Sequence, residues 1–302
     1  MWLVIAISSY LILAVVFLVD KYLLVQKLPN PKVYSFLVGG MGILVLLIIP
    51  FIDFFVPEAS QIGLAFLAGA FFIYALLWFY KGLQVFDASR IVPAISGILP
   101  IFTFGIAFIF SGGKEILELK EIAALLLLTL GSVLMTYEKS KKISLNCLGV
   151  SVLTAFLLSL SFILSKYVYL AQPFWSGFIW IRLGGVLMAA GFFFFSKEVR
   201  EEIFKAKQTF TKQTAILFFS NQGLGAVANI LQNWAIALAP LAYIAMINAL
   251  QGVQYVFLLF FAIVISLKFP QILKEQISKE ILLQKIIAIL LIGGGLALLA
   301  LK

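Results

Sequence analysis

Polar side chains are scarce in this chain, so those that recur at helical spacing mark where chemistry can happen. Asn248, Gln251 and Tyr255 fall at i, i+3 and i+7, which puts all three on one face of a helix. Gln222, Asn229 and Asn233 fall at i, i+7 and i+11, again on one side, with Gln232 beside them. Ser89, Pro93, Ser96, Pro100 and Thr103 run at near-heptad spacing, and the two prolines free the carbonyls of Ser89 and Ser96. Tyr74, Trp78 and Lys81 share a further face. Such groups hold a solute by hydrogen bonds. The clustered acid, base and nucleophile of an enzyme do not accompany them, so no catalytic residue is expected. With no histidine and a single cysteine, Cys147, an intramolecular disulfide is impossible and no metal or cofactor is expected. Each amide also has a plainer reading as an interhelical hydrogen bond, worth about 0.6 kcal/mol on average.

The charged residues narrow the choice. Arg182 alone interrupts the run from Phe174 to Ser196. An ionised arginine at the centre of a membrane helix costs about 2.5–3.5 kcal/mol on insertion scales, so a substrate carboxylate, backbone carbonyls or Asp20 should compensate it. Structural bracing is its other reading. Lys21 and Lys166 stand a few residues from predicted helix ends, where they either snorkel to the headgroups or face substrate. Asp20 is the only carboxylate within the first predicted helix, which makes it the first choice for proton coupling; facilitated diffusion or exchange is the alternative.

The elements that must position these groups follow from composition. With 63% hydrophobic and 12% charged residues and a mean hydropathy of +1.13, no water-soluble domain of this size hides its apolar surface. The expectation is an all-α integral membrane protein, since the apolar runs are continuous and a β-barrel would alternate. Ten helices are predicted near 2–25, 32–51, 59–81, 88–111, 119–137, 146–170, 174–195, 213–237, 241–267 and 280–301. The uncharged stretch from Thr214 to Leu267 is split near Ala239-Pro240. The first segment lacks a basic leader and cleavage site and reads as a retained helix. The segment Lys197 to Lys212 has the pattern of a short amphipathic interfacial helix, with a regulatory or partner contact as a further option.

The chain also repeats itself. Phe17-Leu18-Val19-Asp20-Lys21-Tyr22 returns as Phe162-Ile163-Leu164-Ser165-Lys166-Tyr167, and Lys114-Glu115-Ile116-Leu117 returns as Lys279-Glu280-Ile281-Leu282. This divides the chain into halves 1–142 and 143–302 of five helices each. An odd number of crossings makes the second half enter from the opposite side, so the repeats are inverted.

These features together resemble the drug/metabolite transporter superfamily, and within it the EamA-type ten-helix carriers. The resemblance covers essentially the whole chain. It is carried by Lys21, Lys166 and Arg182, by the junctions Asp87-Ala88-Ser89-Arg90 and Ala239-Pro240-Leu241-Ala242, by Pro93 and Pro100, and by Glu115 and Glu280 ahead of the fifth helix of each half. Aligning Gly39-Gly40 on Gly184-Gly185 sets Leu37 opposite Arg182, so that arginine has no partner in the first half. The resemblance implies a secondary transporter with a central cavity lined by the first, third and fourth helices of each half. It also implies a small organic solute, an amino acid or related metabolite, moved outward. A multidrug or cationic-compound exporter is the nearest rival. An ion or magnesium carrier and an intramembrane lipid-modifying enzyme are remoter, because each needs clusters that the sequence lacks.

The net charge of +9 does not point to nucleic acid, because the basic residues are dispersed in loops beside membrane helices. The expected partners are the solute and membrane lipid, in a monomer or a homodimer. Lysine and arginine gather after the first, fifth, seventh and ninth helices, which places both termini outside the cytoplasm of a cell or inner membrane. Bacterial EamA-type carriers usually have both termini inside, and here this chain departs from them.

Overall fold

The computed structural model describes residues 1–28, 30–86, 88–137, 144–205, 211–268 and 279–300. Every regular element among them is helical: α1 Trp2–Gln26, α2 Pro31–Gly40 continuing as a 3₁₀ helix Met41–Phe51, α3 Ala59–Val85, α4 Ala88–Phe110, α5 Leu119–Thr136, α6 Leu145–Ala171, α7 Phe174–Phe195, α8 Lys197–Lys205, α9 Lys212–Leu238, α10 Ile244–Ala249, α11 Gln251–Lys268 and α12 Lys279–Ala300. Nine spans among the described residues are long and apolar enough to cross a membrane, so the protein is an all-α, multi-pass membrane protein. The eighteen-residue α5 is not among those nine, yet it packs along α12, which is.

Local chemistry sets the ends. Asn30 caps α2 through Oδ1, accepting from Lys32 N at 3.0 Å, and Pro31 sits where a missing N–H costs nothing. Ser144 and Thr211 cap α6 and α9 by accepting from Cys147 N and Thr214 N, each at 3.2 Å. At the far end of α5, Gln284 donates to the carbonyls of Leu134 at 2.7 Å and Tyr137 at 2.6 Å.

Three boundaries differ from the sequence expectation. The second helix is α only to Gly40; its 3₁₀ half gains roughly 2.0 Å per residue, so 21 residues reach roughly 37 Å. The ninth starts at Ile244, not 241, and is broken at Leu250 into α10 and α11. The third runs on to Val85. The amphipathic segment is helical over Lys197–Lys205, with Val199 buried and Phe204 exposed. Asp87, residues 138–143 and 269–278, including Lys139, Lys141, Lys142, Lys274 and the junction before α12, lie outside the described residues.

Packing follows a regular scheme. The helix α1 lies along α9, α3 along both α6 and α7, α4 on α6, α5 along α12, α2 against α7 and α10 against α4. The α3–α7 crossing brings two backbones into contact. A Cβ on Gly69 would lie 1.8 Å from the Ile181 carbonyl oxygen, and one on Gly184 would lie 2.4 Å from that of Phe66. Only glycine fits there, the small-residue contact by which helices associate in lipid.

Candidate functional site

The α3–α7 contact positions the most charged feature of the interior. Phe72 and Arg182 each stand three residues from a glycine of the crossing, Gly69 and Gly185, and so share its face. The guanidinium carbon of Arg182 lies 5.2 Å from the Phe178 ring centre and 5.7 Å from that of Phe72. These cation–π contacts soften its burial. No carboxylate or carbonyl among the described residues bonds to it.

Arg182 lines a cleft between the two halves. The first half contributes Gly39, Gly42, Gly69 and Phe72; the second contributes Ser161 and Ser165 from α6, Arg182 from α7, and Asn229 and Asn233 from α9. The pairs Ser161/Ser165 and Asn229/Asn233 are each i, i+4, one turn apart on one face. Tyr169 Oη donates to Asn233 Oδ1 at 2.8 Å, and Asn233 Nδ2 donates to Asn229 Oδ1 and to its carbonyl, each at 2.9 Å. The atom-free space is about 400 Å³ counting the open mouth, of which about 20 Å³ can be reached by the centre of a water molecule. That space admits one or two water-sized groups. The lining draws on the second helix of each half, which the resemblance did not assign to it, and on no residue of α1 or α4.

Asp20 belongs to a second polar centre. Its Oδ1 accepts from Tyr34 Oη at 2.5 Å, Asn221 Nδ2 at 2.7 Å and Gln222 Nε2 at 3.4 Å, so α1, α2 and α9 meet there. Tyr34 is fully buried, edge-on to Tyr80 at 5.0 Å and Phe218 at 5.6 Å. Gln222 is thus gathered to Asp20, away from Asn229 and Asn233.

The other sequence candidates lie elsewhere. Asn248, 1% exposed, donates to Thr103 Oγ1 at 2.8 Å, which is 2.9 Å from Ser159 Oγ; its own Oδ1 has no partner among the described residues. Tyr255 accepts from Ser96 at 3.3 Å, and Gln251 starts α11 beside it. Tyr74 and Trp78 pack edge-on at 6.3 Å, with Lys81 Nζ 4.4 Å from the Trp78 ring centre. None of these six, with Ser96 counted, lines the cleft. The equivalent lysines have opposite fates. Lys166, 5% exposed, donates to the Ala237 carbonyl at 2.9 Å and so caps the end of α9, whereas Lys21 is exposed. No group of three or more metal-ligating side chains is found among the described residues.

Sequence reasoning passed over Tyr34, Asn221, Tyr169 and Tyr10, whose Oη donates to the Ile247 carbonyl at 2.7 Å. Asn221 carried a signal, being adjacent to Gln222. The tyrosines read as ordinary aromatics of apolar helices.

No family model and no curated protein matches this chain. Among solved structures it is similar to one described only as "Crystal structure of protein", at 14% identity and a TM-score of 0.68, with 99% of this chain and 95% of that chain covered. At that identity the likeness establishes a shared fold over the full length and nothing about chemistry.

Proposed function

We propose that this protein is a secondary transporter for a small organic solute, built of ten membrane-crossing helices in two inverted repeats, residues 1–142 and 143–302. The observation that carries the proposal is the polar cleft lined from both halves, since inverted-repeat carriers bind substrate where their repeats meet. The packing scheme supports the repeats. Pairing each helix with its equivalent five crossings on turns α1–α9 into α6–α3 and α4–α6 into α11–α1, and leaves α2–α7, α4–α10 and α5–α12 mapped onto themselves; the α3–α7 crossing, whose image would be α2–α9, is where the two halves differ. α5, as the partner of α12, would supply the tenth crossing.

Rocking of one half against the other would open the cleft to each face in turn. Asp20, held only by neutral donors, is the candidate for proton coupling. The EamA-like reading of the sequence agrees with this mechanism, with metabolite export as its expected direction. The cationic-compound alternative fits poorly, because the one charged side chain among the described residues lining the cleft is positive. The test is reconstitution into liposomes with a panel of labelled solutes, with and without a pH gradient. Saturable flux or counterflow of at least one solute is expected. No flux under any condition, from protein whose circular dichroism and monodispersity are intact, would refute the proposal.

A further inference from the structure

We infer that the cleft binds the carboxylate of a singly charged organic anion on Arg182 and discriminates against cations and zwitterions. This rests on the cleft being the solute site, and it follows from a census of hydrogen-bonding polarity. The nearby amide acceptors are already engaged: Asn233 Oδ1 receives Tyr169 Oη, and Asn229 Oδ1 receives Asn233 Nδ2. So is the Ser161 carbonyl, which accepts from Ser165 Oγ at 2.8 Å. The donors are left over. The Arg182 guanidinium offers five N–H groups and Asn229 Nδ2 two more, none bonded to a described residue.

A membrane-embedded arginine without a counter-ion calls for an anion, and the planar fork matches a carboxylate with two parallel hydrogen bonds. The little space open to water-sized groups suits the two oxygens, and Phe72 and Phe162 in the lining suit an apolar remainder. No Asp or Glu is among the described lining residues, so an ammonium group would meet only neutral oxygens and the Arg182 charge there. The result narrows the expectation of an amino acid to a solute without a free amine.

The test is isothermal titration of the full chain in nanodiscs with three molecules of one shape at neutral pH: benzoate, benzamide and benzylammonium. Benzoate should bind at least tenfold tighter than benzamide, and benzylammonium not at all. Arg182→Gln should bring the benzoate-to-benzamide ratio close to one, while Arg182→Lys retains part of it. Equal binding of benzoate and benzamide by the unaltered protein overturns the inference, as does binding of none of the three. So does a benzoate preference that survives in Arg182→Gln. The first comparison needs no variant, so a misfolded Arg182→Gln leaves the inference open to refutation. Liposome flux of neutral or cationic solutes alone would sink this inference and spare the transporter reading. Benzoate binding without flux of any solute would do the reverse.

Discussion

Three neutral donors converge on one oxygen of Asp20, and no cation is paired with it among the described residues. It is also the only carboxylate within the nine candidate spans. Asp20→Leu keeps the bulk but strands the Tyr34 hydroxyl and leaves Asn221 Nδ2 only its 3.4 Å bond to the Val16 carbonyl, and a buried donor left unmade costs about 1–3 kcal/mol. Thermal unfolding in detergent should fall accordingly, with Tyr34→Phe falling less because it strands nothing. Asp20→Asn keeps the shape and removes the exchangeable proton. It should abolish the effect of a pH gradient on accumulation while leaving counterflow intact, and unchanged gradient dependence would remove Asp20 from the coupling role. The lone carboxylate and the lone arginine were legible in the sequence because charge is rare there. Their partners were not, because Tyr34 and Phe72 become partners only through how α2 and α3 pack.

The polar stripe of α9 illustrates the limit of spacing at the scale of a helix. Gln222, Asn229 and Asn233 do lie on one side, but Asn221 and Asn233 are twelve residues apart, or roughly 18 Å along the axis. One side of so long a helix passes two neighbouring sites, and periodicity cannot divide it between them. The second stripe, Asn248 to Tyr255, straddles the break at Leu250, and its Asn248 and Tyr255 bond to Thr103 and Ser96 of α4. The interfacial helix α8 was legible from its charge alternation, though its docking was not. Glu198 accepts from Lys32 Nζ at 2.8 Å and Glu202 from Asn30 Nδ2 at 2.7 Å, so α8 is latched to the start of α2. The hydrogen bond from Lys32, and then its charge, hold the Glu198 carboxyl below the usual range. A depressed acid contributes its stabilisation above the ordinary glutamate range and loses it as pH falls through the lowered value. Amide exchange across Lys197–Lys205 should therefore quicken on acidification, and Glu198→Gln should flatten that response at the fast level. Exchange that is insensitive to pH beyond its intrinsic chemistry would count against the latch.

For the molecule as a whole, the apolar runs identified a multi-pass, all-α membrane protein, because twenty apolar residues in a row have few other uses; ten crossings were expected, and nine candidate spans are found among the described residues. Orientation is a separate matter, resting on the loop charges alone. Single cysteines at Ser60 and Lys141, in a background where buried Cys147 is changed to Ser, should react differently with an impermeant reagent added to intact cells. With both termini outside, Ser60 should label and Lys141 should not; labelling at Lys141 reverses the assignment.

The glycine contact between α3 and α7 has two sides. Gly69 and Gly185 face the polar cleft, while Gly184 and Phe66 line an open, largely apolar groove between the same two helices, about 1090 Å³ counting the space outside its mouth. At that level the cleft and the groove are divided where the main chains of α3 and α7 touch, with Ile73 and Ile181 on the cleft side and Phe66 on the other. A methyl at Gly69, aimed at an oxygen 1.8 Å away, has no room except by prying the helices apart. Gly69→Ala should therefore behave as a breach as much as a packing defect: in liposomes it should raise passive leakage of small ions through a protein that still inserts. The division between the two spaces depends on the closeness of two main chains, and a single methyl group tests it.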